Sequence, residues 1–506
     1  MPHYQRRHVC CFFILLFAYA STISATRAAV ASTLSELRVR LKGSIEHPRF
    51  HRAQFGVKVI FLPTGKTIFD HQSDKLFRPA SNAKLFTGAF ALDKLGPAFR
   101  IQTSAYASRK PAANGKLNGD LILYGRGDPT FSPRFHSGDV RKPFQRFARA
   151  IVVAGIKSVS GDIVADESYF NIEPFGSGWV WDDLREAYGA EISALNVNDN
   201  AASITLLPGT TVGTAARVST SPDLLPIQII NRVGTHPIGT PERIVQHWPF
   251  LESRMTFAGT LARDSNGRVF SITVRRPAHW FGQMLARELK LLGVVIGGKV
   301  HAVNWTERLL NPLPSGQLEH ISSVAAPPLL EIIRVMMKDS VNLYANLMLL
   351  QAAGPPTENG KDAERWALEQ LQQFLLLAGV ESGAADLDDG SGLSRRTLVS
   401  PSAVVRLLSF MSEHQYAKEF ASTLAIAGQD GTLANRMKQS AAEKNAIGKT
   451  GTLKFAHGLS GYVTTKADER LAFSILLNNY DGSSSSAREA MDALVVSLAE
   501  FEGKLE

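Results

Sequence analysis

A stretch of short alternating runs, from about Arg100 to Asn311, interrupts a chain whose flanks carry helical spacing, and this limits the architectures open to it. Runs such as Leu117 to Tyr124 and Val212 to Ser219 are separated by Gly, Pro, Asn and Asp, the texture of strands and turns. Two helix–glycine–strand units look alike, Phe144 to Val164 around Gly155 and Met284 to Val300 around Gly293. Two copies are no solenoid, which needs a sustained period. Before the interruption, Leu34 to Leu41 reads as helix. Phe55 to Leu62 and Lys66 to Asp70 read as strands joined by the Pro63-Thr64-Gly65 turn, and the helix that follows Ser81 stops at Gly96-Pro97. After it, helices are expected from Pro327-Pro328, over Leu343 to Leu350, Ala363 to Ala378 and Pro401 to Ser412. Strands Ile447 to Thr452, Gly458 to Thr465 and Arg470 to Asn478 come next, and Ser485 to Phe501 closes as an amphipathic helix. The reading is an α+β domain with antiparallel strands from both ends around a helical cluster, split by one or two β-rich inserted modules.

At 506 residues the chain is too long for one ordinary domain. With 44% hydrophobic and 20% charged residues it is no disordered chain. Its formal charge of +9 favours anionic partners. No block of five or six basic residues occurs, which argues against nucleic acid. At the N-terminus Arg6 and Arg7 precede an apolar run from Val9 to Ala20, followed by small residues around Ala20 and Ala25. Residues 1–25 therefore read as a secretory signal peptide; the run is short of the roughly 20 residues that cross a bilayer. Cys10 and Cys11 are the only cysteines and both lie in this segment, so the mature chain has no cysteine nucleophile, disulfide or cysteine zinc site. Thirteen histidines include no His-Glu-x-x-His, and Pro48 keeps His47 and His51 off a shared helix face. Gly-x-Ser-x-Gly is absent as well.

Three short elements remain. Ser81-Asn82-Ala83-Lys84 stands where a helix begins, so Ser81 and Lys84 share a face and can touch. A serine hydroxyl needs a neighbour to take its proton, and a lysine serves only if burial or nearby positive charge lowers its pKa. Ser340-Val341-Asn342 stands at a junction of helices, and Lys449-Thr450-Gly451-Thr452 on a strand beside a hairpin. Each alone has an ordinary structural explanation: a capped surface helix, a polar junction, a strand glycine. Together, in this order, they are the element types of β-lactamases and penicillin-binding proteins.

The chain resembles the D-Ala-D-Ala carboxypeptidase/endopeptidases of the low-molecular-mass penicillin-binding proteins, the class C group with large insertions. Further stretches carry the likeness: Gly125 to Thr130, Ser160 to Ile163, Trp181 to Leu184, Asp389 to Arg395, and Gly428 to Leu433. So does the long separation of Ser81 from Ser340. The resemblance implies a penicillin-binding/β-lactamase-like transpeptidase domain over 31–100 and 308–506. Inserted domain II would take 101–127 and 201–307, and inserted domain III 128–200. Ser81 would attack the carbonyl between two D-alanines, with Lys84 as base. Ser340 would pass a proton to the leaving amine, Asn342 would orient Lys84 and the substrate amide, and Lys449 would keep Lys84 neutral and attract the terminal carboxylate. Backbone N–H groups of Ser81 and Thr452 would form the oxyanion hole, and Thr450, Gly451 and Thr452 would line the bound peptide. Asp183 and Arg395 would read the amine and carboxylate of a diamino-acid stem residue beside Tyr188. No metal or cofactor is implied. The implied partners are peptidoglycan peptides and, covalently, β-lactams; the implied address is the bacterial periplasm, with peripheral membrane association left open. Arg126 and Asn346 depart from the family pattern, where glycine and an acidic residue are usual. The rival readings are a class C β-lactamase-like esterase using Tyr344-Ala345-Asn346 and a non-catalytic wall-binding scaffold.

Overall fold

The Gln54–Phe61 strand ties the two ends of the chain together. It pairs antiparallel with Thr67–His71 on one edge and Arg470–Asn478 on the other. Ala456–Thr464, Ile447–Leu453 and Ala425–Ile426 extend the same six-stranded sheet. Alternation buries one face of it against the Leu34–Ile45 and Ser484–Ala499 helices, through Leu37, Leu41, Leu494 and Leu498. The computed structural model describes residues 30–249, 252–313, 318–356 and 362–505. Ala31–Glu506 forms one compact unit. The expected signal peptide, 1–25, lies outside the described residues.

The opposite face of the sheet meets a helical cluster. At its centre is the Lys84–Leu95 helix, on which every residue from Lys84 to Leu92 is buried. A helix apolar nearly all round can only be a central one. Leu329–Lys338, Asn342–Ala353, Ala363–Leu377 and Pro401–Glu413 pack around it. Gly96 ends the central helix at φ 72°, a left-handed conformation that suits glycine.

The interrupting stretch has a core of its own, built entirely from residues between Ala105 and Val324. A five-stranded sheet runs in the order Val300–Val303, Ile163–Asp166, Leu121–Tyr124, Gln102–Ala107, Glu319–Ala325. It draws strands from 101–127 and from 128–200 alike and takes its last strand from beyond 308. The Arg141–Val153 and Pro277–Leu291 helices cover it. Two expected strands differ in detail. Leu117 to Tyr124 divides between two sheets, because Asn118-Gly119-Asp120 turns the chain and Asp120 N–H bonds Ser108 Oγ. The strand expected from Val212 begins at Arg217, since Thr211 to Thr214 closes a turn over Gly213, at φ 90°.

Candidate active site

The helix expected from Ser81 starts later. Ala80–Ala83 is a 3-10 turn and Lys84 opens the α-helix. In a 3-10 turn residues i and i+3 eclipse each other. Lys84 Nζ accordingly sits 2.9 Å from Ser81 Oγ. The turn is wedged against the Ile447–Leu453 strand. A Cβ on Gly451 would stand 2.5 Å from the Pro79 carbonyl oxygen, and one on its cross-strand partner Gly458 would stand 2.5 Å from Asn82 Nδ2. Both positions must therefore be glycine for strand and turn to approach.

Lys84 is fully buried and meets two further partners, each an acceptor: Asn342 Oδ1 at 2.6 Å and the Ser391 carbonyl at 2.9 Å. A neutral amine has two N–H groups and one lone pair. With both N–H groups engaged by acceptors, the lone pair is left for the Ser81 hydroxyl. Burial pushes the Lys84 ammonium down to about 7 against the opposing pull of the Asp389 carboxylate. Lys449 is also fully buried, 2.9 Å from Ser340 Oγ and 2.8 Å from the Thr450 carbonyl. Burial, and then the charge of Lys84, hold it well below the ordinary lysine value.

Ser340 occupies a left-handed conformation, φ 62°, between the Leu329–Lys338 and Asn342–Ala353 helices. For a non-glycine residue this costs about 1–2 kcal/mol. The neighbours hold it. Arg134 bridges Asp339 and Asp199 at 2.7 Å each, and Lys338 forms an ion pair with Asp430. The Asp430 loop also supplies Thr432, whose Oγ1 accepts from Thr450 Oγ1 at 2.8 Å.

The structure thus joins Ser81, Lys84 and Asn342 in one hydrogen-bonded group and Ser340 and Lys449 in a second, the lysines near enough for the charge of one to act on the other, with Thr450, Gly451 and Thr452 following Lys449 on its strand. Asp183 and Arg395 meet each other, guanidinium to carboxylate at 2.6 and 3.0 Å, and Asp183 is 2% exposed. The Tyr188 ring is 49% exposed while its backbone carbonyl accepts from Asn342 Nδ2 at 2.8 Å. Tyr344 is turned elsewhere: its hydroxyl donates to Asp199 at 2.7 Å. The departing residues have ordinary partners. Asn346 Oδ1 accepts the Gly390 N–H, and Arg126 bonds Ser104 Oγ and lies over Tyr124.

Sequence reasoning missed Asp389. Buried, it accepts from Trp179 Nε1 at 2.8 Å, from Gly392 N–H at 2.6 Å, and from the Ser391 and Ser394 N–H groups. It thereby shapes the loop that offers the Ser391 carbonyl to Lys84. Asp389-Gly390-Ser391-Gly392 is legible as a tight turn, but which carbonyl a distant lysine will meet is not. Arg134 and Asp199 carried no signal at all in a stretch read as insertion.

The D-Ala-D-Ala carboxypeptidase 3 (S13) family matches residues 37–501. A D-alanyl-D-alanine carboxypeptidase of Actinomadura sp. (strain R39) is 32% identical over 490 residues, 94% of this chain and 86% of that protein. The D-alanyl-D-alanine carboxypeptidase DacB of Haemophilus influenzae is 28% identical over 423 residues, 82% of this chain and 83% of that protein. The crystal structure of penicillin-binding protein 4 (dacB) from Haemophilus influenzae superposes with a TM-score of 0.73 at 25% identity, covering 92% of this chain and 98% of that one. That same protein has also been crystallised in complex with a β-lactam. A mixed helix-and-strand fold with a large insertion, two buried lysines each bonded to a serine, and a family match over nearly the whole length converge: this chain belongs to the D-Ala-D-Ala carboxypeptidase 3 (S13) family of serine hydrolases.

Proposed function

We propose that Ser81 is the acylated residue of a serine-type D-Ala-D-Ala carboxypeptidase and D,D-endopeptidase acting on peptidoglycan stem peptides. The observation that carries this reading is the pair of acceptors on Lys84, which directs its lone pair at Ser81. The Ser81 proton passes to Lys84 as Oγ attacks the D-Ala carbonyl. The Ser81 and Thr452 N–H groups receive the oxyanion. When the tetrahedral intermediate collapses, the departing amine takes a proton from the Ser340 hydroxyl, which is replaced by the one Lys84 took from Ser81, while Asn342 holds Lys84 and the substrate amide. Water then hydrolyses the ester and restores Ser81. The terminal carboxylate rests by Lys449 and Thr450. Its charge favours protonated Lys449, whose charge in turn favours neutral Lys84. Carboxypeptidase and endopeptidase action cut the same bond and differ only in what lies on the leaving side. A β-lactam enters the same cleft and leaves a covalent adduct on Ser81. We place the enzyme outside the cytoplasm, in the periplasm, where such substrates are found.

A diamino-acid stem residue would part Asp183 from Arg395. Its amine would replace the guanidinium at Asp183, and its carboxylate would replace Asp183 at Arg395, beside the exposed Tyr188 ring.

Release of D-alanine from a synthetic stem pentapeptide tests the reading directly. Steady release by the unmodified protein is expected, and Tyr344→Phe should keep it within about tenfold, since that hydroxyl is fully buried on Asp199. No release would support the scaffold reading, and loss of release in the Tyr344 variant alone would support the esterase-type site. Asp389→Asn removes the charge that opposes Lys84 deprotonation and leaves a single acceptor oxygen for the loop. Acylation by penicillin should slow about tenfold, and the acid limb of its pH profile should move to lower pH. An unmoved limb would disconnect Asp389 from Lys84.

A further inference from the structure

The two look-alike helix–glycine–strand units end side by side. The Arg141–Val153 helix turns at Gly155 into Ser158–Val159, and the Pro277–Leu291 helix turns at Gly293 into Val295–Ile296. These strands are parallel neighbours, with Val295 opposite Ser158, and Lys116 pairs with Ser158 from the other side. The helices pack on each other through Phe144 and Phe281, ring centroids 5.0 Å apart. Both helix C-termini and both turns therefore lie at one end of the insertion.

That end is apolar where it should be polar. Val153 is 86% exposed, Leu291 65%, Leu292 42% and Val295 67%. Single exposed aliphatics are ordinary; four gathered on two adjacent turns are not. Lys116, Arg149, Lys157 and Lys290 are exposed around them, and none forms an ion pair among the described residues. The segments 109–119, 141–161 and 289–303 contain no aspartate or glutamate. The nearby Glu288 is buried and bound to Arg141 at 2.8 Å.

We propose that this end of the insertion docks on the surface of a bilayer that carries anionic lipid. The four aliphatic side chains enter the boundary between headgroups and acyl chains, and the four cations lie against lipid phosphates. Aliphatic groups have nothing to gain from a hydrated anionic polymer such as wall glycan, whereas a bilayer satisfies both halves of the patch. A second copy of the chain fits poorly. A two-fold contact would set cations against cations with no carboxylate between them.

The test uses residues 31–506, which form a compact unit by themselves, and co-sedimentation with phosphatidylcholine vesicles with and without about one-third phosphatidylglycerol. Binding should require phosphatidylglycerol and weaken with salt. Val153→Ser with Leu291→Ser, and separately Lys157→Gln with Lys290→Gln, should each lower the bound-to-free ratio about tenfold while penicillin labelling of the protein stays unchanged. All four positions are exposed, so neither pair threatens the core. Failure of the unmodified unit to bind the anionic vesicles, or equal binding by both variants, would overturn the proposal. So would a patch whose loss instead abolishes binding to purified wall glycan or dissolves a dimer.

Discussion

Ser81→Ala is expected to eliminate the covalent penicillin adduct and lower D-alanine release by about 10⁴-fold or more, while the fold stays intact. Intact-mass spectrometry reads the adduct, and peptide mapping of the unmodified protein should place it on Ser81. The size of the loss follows from the site's construction. With the oxygen gone, Lys84 has nothing to deprotonate, and no other hydroxyl can substitute: Ser340 is engaged by Lys449, and Tyr344 by Asp199. The fold should tolerate the change, because the turn is held by backbone bonds and the close approach of Gly451 and Gly458, not by Ser81 Oγ. An adduct persisting on Ser340, or on any residue of the Ala variant, would remove Ser81 from its role.

The second large effect is the dependence on pH. In the proposed mechanism only neutral Lys84 accepts the proton, and burial pushes its ammonium down to about 7. Acylation should therefore rise with pH through about 7 and then level off, and Lys84→Met should cut it by about 10³-fold and flatten the profile. Stability carries the same signature with a definite sign. Lys84 has a folded-state pKa below the ordinary 10.5, so between about 7 and 10.5 the unfolded chain binds a proton that the folded chain does not. Unfolding free energy from this group thus increases as pH rises across that window and is constant above it. Urea melts at pH 7.5 and 9.5 should show a larger gain for the unmodified protein than for Lys84→Met. An identical pH dependence in both would mean that the buried amine is still charged.

Lys84 also shows where the sequence stops being informative. Its position three residues after Ser81 on a helix start is visible in the residues, because local spacing sets which side chains share a face. Its pKa is not. That depends on burial by elements far along the chain, the Asn342–Ala353 helix among them, and on the distant Asp389 carboxylate that opposes it. The same holds for Asp183 and Arg395. The resemblance implies that both read a peptide stem, and in the structure they are partners of one another, a pairing that residues 212 positions apart do not announce.

The sequence by itself determined the kinds of element and their order. Strand alternation, helical spacing, the turn at Gly65, the stop at Gly96 and the helix start at Pro328 act over a few residues, and such short-range terms are written in the local residues. It also determined which side chains were available for chemistry. Only the tertiary structure decided that the ends of the chain share one sheet, that a single sheet crosses the expected module boundaries, that Arg134 and Asp199 brace the Ser340 turn, and that two lysines are buried, each within hydrogen-bond reach of its own serine. These are contacts between positions hundreds of residues apart. Their free energy comes from burial and from hydrogen bonds that exist only once the core has closed, so no short stretch encodes them.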